Sequence, residues 1–428
     1  MQGRGGVQSA APGFRSFPSD VMNQKDDAFW LLDPNVTYLN HGSFGSCPRP
    51  VLDFQHSLRE RLEKNAMQFL VRELEGMLDS ARAALAAFVG AKPDDLVFVA
   101  NATTGVNAVL RSLTWKPGDE LLTTNHVYNA CGNALDFAAE RNGARVVVAD
   151  VPFPLDDEQQ VVDAVGAAVT ERTRLALIDH VTSETGIVLP IDRLIPLLQE
   201  RGIEVLIDGA HAPGMVALNL DALGADYYTG NCHKWICAPK GAGFLHVKPE
   251  KQGAIRPLAI SHGANSDRTD RSRFQIEFGW TGTSDPTAFL SVPEALRVMA
   301  ARHSGGWAGL MKANHERVID ARRVLCEALR IVPPCPESML GSLASIPLPD
   351  AVTIEPSLPP LALDPFQDRL AHRYAIEVPV FPWPQPSRRL LRVSSQDYNS
   401  QEDYRRLADV LRDIVGSDDG CRASASGC

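Results

Sequence analysis

The sequence predicts a doubly wound α/β fold with a mostly parallel sheet, and three observations carry that prediction. From Leu96 to Val247 short β-branched runs alternate with longer amphipathic segments. The short runs are apolar on both faces, as expected where helices cover both sides of a parallel sheet. Most of the polar clusters fall just after the carboxyl ends of those runs, where open α/β sheets bind their ligands.

Taken in order, a long helical pattern over Val51–Phe88 ends at Gly90 and precedes the alternating region. The predicted strands are Leu96–Ala100, Glu120–Thr124, Ala144–Ala149, Arg174–Val181, Ile203–Ile207, Ala225–Thr229 and Gly243–Val247, which makes a seven-stranded sheet. Helical patterns at Thr104–Leu113, Ala130–Asn142, Asp157–Val169 and Ile191–Arg201 separate the first five. After Arg271–Ser291 come helical stretches at Pro293–Arg302 and Leu310–Leu329. A proline-dense part with short strands at Leu343–Ile346 and Leu390–Val393 and a helix at Gln401–Val415 reads as a smaller α+β domain. The expected division is a disordered leader over 1–25, an N-terminal segment over 26–50, a large domain over 51–300, a small domain over 301–415 and a disordered tail over 416–428.

Composition narrows the function classes. The 428 residues are 44% hydrophobic and 22% charged, near the values of soluble globular proteins. A net charge of −10 argues against a nucleic-acid surface but not against a local anion site made of backbone N–H groups. The same acidic balance favours a cytoplasmic protein, and no apolar run is long enough to span a membrane. The eight cysteines are scattered, and Cys232 and Cys237 have no second pair at zinc-ribbon spacing, so no metal site is expected.

The chemistry centres on two residues. Ile203–Ile207 runs into Asp208-Gly209-Ala210-His211, and Ala225–Thr229 runs into Asn231-Cys232-His233-Lys234-Trp235. A lysine at one strand end can form a Schiff base with the aldehyde of pyridoxal 5'-phosphate. A carboxylate at the next can keep the pyridine nitrogen protonated. Asp208 could equally cap the following helix, and Lys234 could be a surface lysine. Its apolar flank Trp235-Ile236 argues for partial burial, which lowers a lysine's pKa. Asn101-Ala102-Thr103-Thr104 at a helix start offers N–H groups and hydroxyls to a phosphate, or is a plain cap. Tyr128 could stack on a ring or lie on the surface, and Ser183 could bond a phenolic oxygen or close a turn. Arg392, inside the apolar run Leu390-Leu391-Arg392-Val393, needs a carboxylate or carbonyl partner, from a substrate or from the protein.

Together these segments, with Tyr38-Leu39-Asn40-His41-Gly42-Ser43-Phe44-Gly45 ahead of them, resemble the class V aminotransferases, a family of fold type I pyridoxal-phosphate enzymes, in its isopenicillin N epimerase-like branch. The likeness covers about Phe29 to Val415. It implies Lys234 as Schiff-base lysine and proton shuttle and Asp208 as partner of the pyridine nitrogen. It implies Tyr128 stacked on the ring, and Ser183 and His211 near the phenolic oxygen. Thr103, Thr104, Asn231 and His233 would hold the phosphate, and Thr283 would reach the phosphate of a second subunit in a homodimer with interfacial sites. Asn40, His41 and Phe44 would line the substrate entrance, and Arg392 would grip the carboxylate.

The activity so implied is α-proton abstraction by Lys234 from an amino acid held as an external aldimine. Epimerisation or transamination would follow, or β-elimination at a C–S bond in a lyase. Two departures bear on this. Asn65-Ala66 stands where the branch often has Asn-Pro, and the stretch Met339–Ser345 lacks the cysteine that takes up sulfur in desulfurases. A non-enzymatic cofactor-binding sensor is the alternative of another class. A nicotinamide oxidoreductase is disfavoured, since no G-x-G-x-x-G follows the first strand.

Overall fold

The computed structural model describes residues 29–349, 363–385 and 388–425. The expected leader over 1–25 and the last three residues of the expected tail lie outside them. Twelve strands occur among the described residues: β1 Thr37–Tyr38, β2 Leu96–Val99, β3 Glu120–Thr124, β4 Arg145–Ala149, β5 Thr173–Asp179, β6 Glu204–Gly209, β7 Tyr227–Asn231, β8 Gly243–Val247, β9 Leu343–Leu348, β10 Ile376–Glu377, β11 Val380–Pro382 and β12 Arg389–Ser394. β3 and β8 coincide with their predicted spans, and the other predicted strands shift by one or two residues at their ends.

Seven strands form one sheet in the order β2-β8-β7-β6-β5-β3-β4. All pairings within β7-β6-β5-β3-β4 are parallel, whereas β8 runs antiparallel to both β2 and β7. The carboxyl ends of β2, β3, β5, β6 and β7 therefore share one edge. Burial is nearly complete along β3, β5, β7 and β8. β4 departs from the two-sided apolar pattern because it is the sheet's edge strand, and Val148 is exposed there.

The helix starts and stops follow local chemistry. Asn101 caps the helix Ala102–Ser112 by accepting from the Thr104 N–H, and Asp157 with Gln160 makes a capping box for Glu158–Ala168. The long helical region expected over Val51–Phe88 divides into Arg49–Lys64, a π-helical turn at Gln68–Glu73, and Leu74–Val89. The break falls at Asn65, whose own backbone leaves the helical region and whose side chain caps the next turn at the Gln68 N–H.

The remaining strands join the two ends of the chain. β11, β12 and β9 make an antiparallel sheet backed by the helices Gly306–Leu329 and Gln401–Ala425. That last helix runs past Val415 to Ala425, through Gly416-Ser417-Asp418-Asp419-Gly420 and into the stretch expected to be a disordered tail. β1 pairs in parallel with β10, so the N-terminal segment packs on C-terminal residues.

Candidate active site

The edge formed by the strand ends surrounds a cavity of about 340 Å³. Its walls include Asn101–Thr103 beyond β2, Tyr128 beyond β3, Asp179 and Ser183 at β5, Asp208 and His211 at β6, and Asn231, His233 and Lys234 at β7. Ser43 and Phe44 close it from the N-terminal segment.

Lys234 sits in a turn held from several sides. Its carbonyl accepts from the Cys237 N–H at 3.0 Å and lies 3.1 Å from His41 Nε2. Gly45 has a φ of +70°, and a Cβ there would meet the His233 carbonyl oxygen at 2.1 Å. The chain can thus pass behind the lysine only as glycine.

The amine itself has one side-chain partner, His211 Nε2 at 3.0 Å. His211 Nδ1 accepts from the Trp235 indole N–H at 3.3 Å. An indole N–H only donates, so Nδ1 carries no proton and the neutral ring carries it on Nε2. The His211 N–H then points at the lone pair of an uncharged Lys234 amine. Charge balance agrees: burial, then the nearby Arg392 guanidinium, bring the Lys234 pKa down to about 7.

Asp208 is buried and accepts the Cys131 thiol proton at 3.0 Å on one oxygen and the Ala210 N–H at 3.0 Å on the other. Among the described residues it makes no ion pair. Asp179 lies directly beside it in the β5–β6 register. One Asp179 oxygen accepts the Tyr128 N–H at 3.2 Å and the other is buried without a partner. Burial raises the pKa of both carboxyls, and the charge on Asp208 pushes Asp179 up further. Two buried carboxyls side by side hold at most one negative charge comfortably, and the better hydrogen-bonded Asp208 keeps it.

Opposite lies the start of the helix Ala102–Ser112. The Ala102 N–H donates to Asn231 Oδ1 at 2.8 Å, which ties β7 to this helix. The Thr103 N–H makes no protein hydrogen bond among the described residues and faces the cavity with the helix dipole behind it. His233 Nδ1 bonds the Ala242 carbonyl at 3.0 Å, which leaves Nε2 for the cavity side. Thr104 is placed otherwise: its hydroxyl and N–H both bond Asn101 Oδ1, and it borders a second, more apolar cavity.

Arg392 is buried, and no carboxylate lies within 4.0 Å of it among the described residues. One terminal nitrogen donates to the Ser183 carbonyl at 2.6 Å, the other to the Ser43 hydroxyl at 3.2 Å, and Nε has no partner. Burial brings its pKa down to about 10, so it stays charged at neutral pH. It is a caged cation whose bonded neighbours, Ser43 and Ser183, both line the cavity.

Besides Thr104 and Arg392, three expected site residues stand apart from the cavity. Asn40 is buried and bonds Glu377 and Ser43. His41 is buried between the Tyr398 hydroxyl and the Lys234 carbonyl. Both brace the N-terminal turn rather than face the cavity, because their partners lie behind it. Thr283 is exposed in the segment bordering the second cavity. Sequence reasoning overlooked Asp179, Cys131 and Lys240, the last lining the cavity and donating to the Gly45 carbonyl at 2.7 Å. Asp179 carried the same signal that singled out Asp208, an acid ending a buried strand. Cys131 carried none beyond its place three residues after Tyr128.

Comparison with known proteins shows the family. The family model Aminotransferase class-V matches residues 46–316. Isopenicillin N epimerase of Amycolatopsis lactamdurans is 35% identical over 399 residues, covering 90% of this chain and 96% of the relative. A probable chloroplastic L-cysteine desulfhydrase of Arabidopsis thaliana is 31% identical over 435 residues, covering 96% of this chain and 90% of the relative. A solved C-DES mutant with glycine covalently linked to its PLP cofactor superposes with a TM-score of 0.72 at 22% identity, over 89% of this chain and 97% of that one.

Proposed function

The chain belongs to the class V aminotransferase family, a pyridoxal-phosphate-dependent one, and on that premise we propose that it removes the α-proton of an amino acid through Lys234. The observation that carries this reading is the Lys234–His211–Trp235 chain of hydrogen bonds around an amine whose burial brings its pKa down to about 7, so that near neutral pH it can attack a carbonyl or take a proton.

The residues present fit the cofactor. A buried carboxyl without a cationic partner, Asp208, faces one end of the cavity, and the helix start with its orphaned Thr103 N–H faces the other. Asp208 would hold the pyridine nitrogen, Tyr128 the ring face, and Ser183 and His211 the phenolic oxygen. Thr103, Asn231 and His233 would hold the phosphate, with Thr104 bracing Asn101 behind them. When bound, pyridoxal 5'-phosphate supplies a protonated ring that draws electron density from the substrate's α-carbon.

The other steps belong to the protein. Arg392 would take the substrate carboxylate, replacing the hydrogen bonds its fork now lacks. That grip would orient the α C–H bond toward the Lys234 amine, which accepts the proton and can return it. Phe44 and Ser43 would bound the substrate side chain. Asn40 and His41 would act from behind, by holding the turn that carries Ser43 and Phe44. We further propose a homodimer, supported by the apolar second cavity around Phe98, Phe278, Trp280 and Phe289 beside Thr104, with Thr283 reaching the partner's phosphate.

A lyase that breaks a C–S bond after the same proton abstraction is the second reading. The desulfhydrase relative supports it. So does the burial of all six cysteines whose side chains are described: Cys335, closest to the Met339–Ser345 stretch, is bonded by Arg322. No described thiol is presented to take up sulfur, which favours release of sulfide over transfer.

The test is α-deuterium incorporation from heavy water across an amino-acid panel, by the holoenzyme and by Lys234→Ala. Exchange of at least one amino acid by the wild type only, with racemised product, keto acid, or sulfide with pyruvate and ammonia as the readout of fate, supports the reading. Equal exchange by Lys234→Ala overturns it.

A further inference from the structure

At the opposite edge of the main sheet, the structure assigns a divalent-cation site of the zinc class to His246, Asp95 and Asp221. The three come from separate parts of the chain. Asp95 ends the turn Pro93–Asp95 that leads into β2, Asp221 sits in the short helix Leu220–Leu223, and His246 is on β8. Their ligating atoms all lie within 4.8 Å of one another.

His246 is the independent observation that points to a ligand. It is only 4% exposed, and neither ring nitrogen has a hydrogen-bond partner. Its Nε2 aims at Asp221 Oδ1 across 3.8 Å, too far for a hydrogen bond. A buried imidazole with both nitrogens unmet is rare, because each has lost its water for nothing in return. The two carboxylates beside it lack a counter-ion: among the described residues no lysine or arginine lies within 4.0 Å of either, and Lys248 pairs with Asp226 instead. A divalent cation answers both deficits.

The frame around the cluster is built rather than accidental. Asp221 is anchored by its N–H to the Gly90 carbonyl at 2.9 Å, and Asn219 caps its helix through the Ala222 N–H. Gly90 has a φ of +66°, and a Cβ there would meet Asn219 at 2.7 Å. Asp95 has one oxygen held by Gln252 at 2.8 Å and the other free to coordinate. Imidazole with two carboxylates suits zinc and its neighbours rather than calcium or magnesium. Ligand bonds of about 2.0–2.2 Å put tetrahedral donors about 3.3 Å apart. The half-exposed Asp221 side chain can close the remaining gap by a rotamer change.

The experiment uses the holoenzyme, stripped with a chelator and titrated with zinc chloride. After gel filtration, metal content and melting temperature are measured for the wild type, Asp221→Asn and His246→Leu. One zinc retained per chain with a raised melting temperature is expected, with at least a tenfold loss of affinity in Asp221→Asn, whose exposed position spares the fold. The visible absorbance of the bound cofactor should not change. No stoichiometric retention, or equal retention by Asp221→Asn, overturns the site, whatever His246→Leu does to folding.

Discussion

Arg392→Lys isolates the proposed carboxylate grip from everything else in the site. Lysine keeps the positive charge and much of the length, so the buried carbonyl of Ser183 still has a donor. It loses the planar fork. In the wild type the guanidinium spends two donors on Ser183 and Ser43 and leaves Nε unmet, so a bound carboxylate would gain up to two charge-assisted hydrogen bonds. At about 1.5–3 kcal/mol each, these are worth roughly 3–6 kcal/mol, or about 10²–10⁴ in affinity. The assay compares an exchangeable amino acid with the amine that lacks its carboxylate, in the wild type and the variant, by spectral titration of the holoenzyme. The wild type should prefer the amino acid by at least about 10², and Arg392→Lys should shrink that preference at least about tenfold while amine affinity holds. A preference unchanged by the substitution would mean that the carboxylate is held elsewhere and that Arg392 only staples Ser183 to the N-terminal turn.

Three further outcomes are expected. The rate at which apoenzyme captures pyridoxal phosphate should rise with pH through about 7, where Lys234 loses its proton, and then level off; a rate still climbing about tenfold per pH unit above pH 9, as for an ordinary lysine near 10.4, would contradict the buried amine. The raised Asp179 carboxyl makes the native apoenzyme hold more protons than the unfolded chain, so stability should fall as pH rises from about 4 through the raised folded value. In Asp179→Asn that decline, followed as melting temperature, should be shallower, and an equal or steeper one would refute the shared charge. Gly45→Ala should cost at least about 1–3 kcal/mol and slow cofactor capture, because its Cβ meets the His233 carbonyl in a left-handed backbone; a variant of wild-type stability and capture rate would show the turn to be pliable.

What was legible in the sequence and what was not separate along physical lines. Strands such as Glu120–Thr124 and Gly243–Val247 were readable because an apolar run bounded by polar loops encodes both burial and length. β1 and β10, two residues each, encode neither, and exist because the chain ends meet in space. Lys234, Asp208 and Thr103 stood out because positions at strand and helix ends carry directional chemistry, and the structure brings all three to one cavity. Asn40 and His41 were placed wrongly in depth, though rightly in neighbourhood, because polarity does not tell a cavity wall from its brace. The Asp179 pairing needed the strand order, since β5 and β6 become neighbours only in the sheet. His246 was invisible for the same reason: its partners lie 25 and 151 residues away.

The clasp behind the reactive lysine has a consequence for when the enzyme becomes an enzyme. His41 and Gly45 brace the Lys234 turn, but their own segment is tied down by C-terminal residues: Leu39 bonds Glu377, and the Ser394 N–H bonds Leu39. During synthesis Lys234 is made 160 residues before Ser394. At about 5–20 residues per second, the lysine waits roughly 8–32 s for the strand that completes its support. Charging with cofactor should therefore await β10 and β12: a ribosome-bound or truncated product lacking them is expected to stay colourless with cofactor, while the protein carrying them turns yellow.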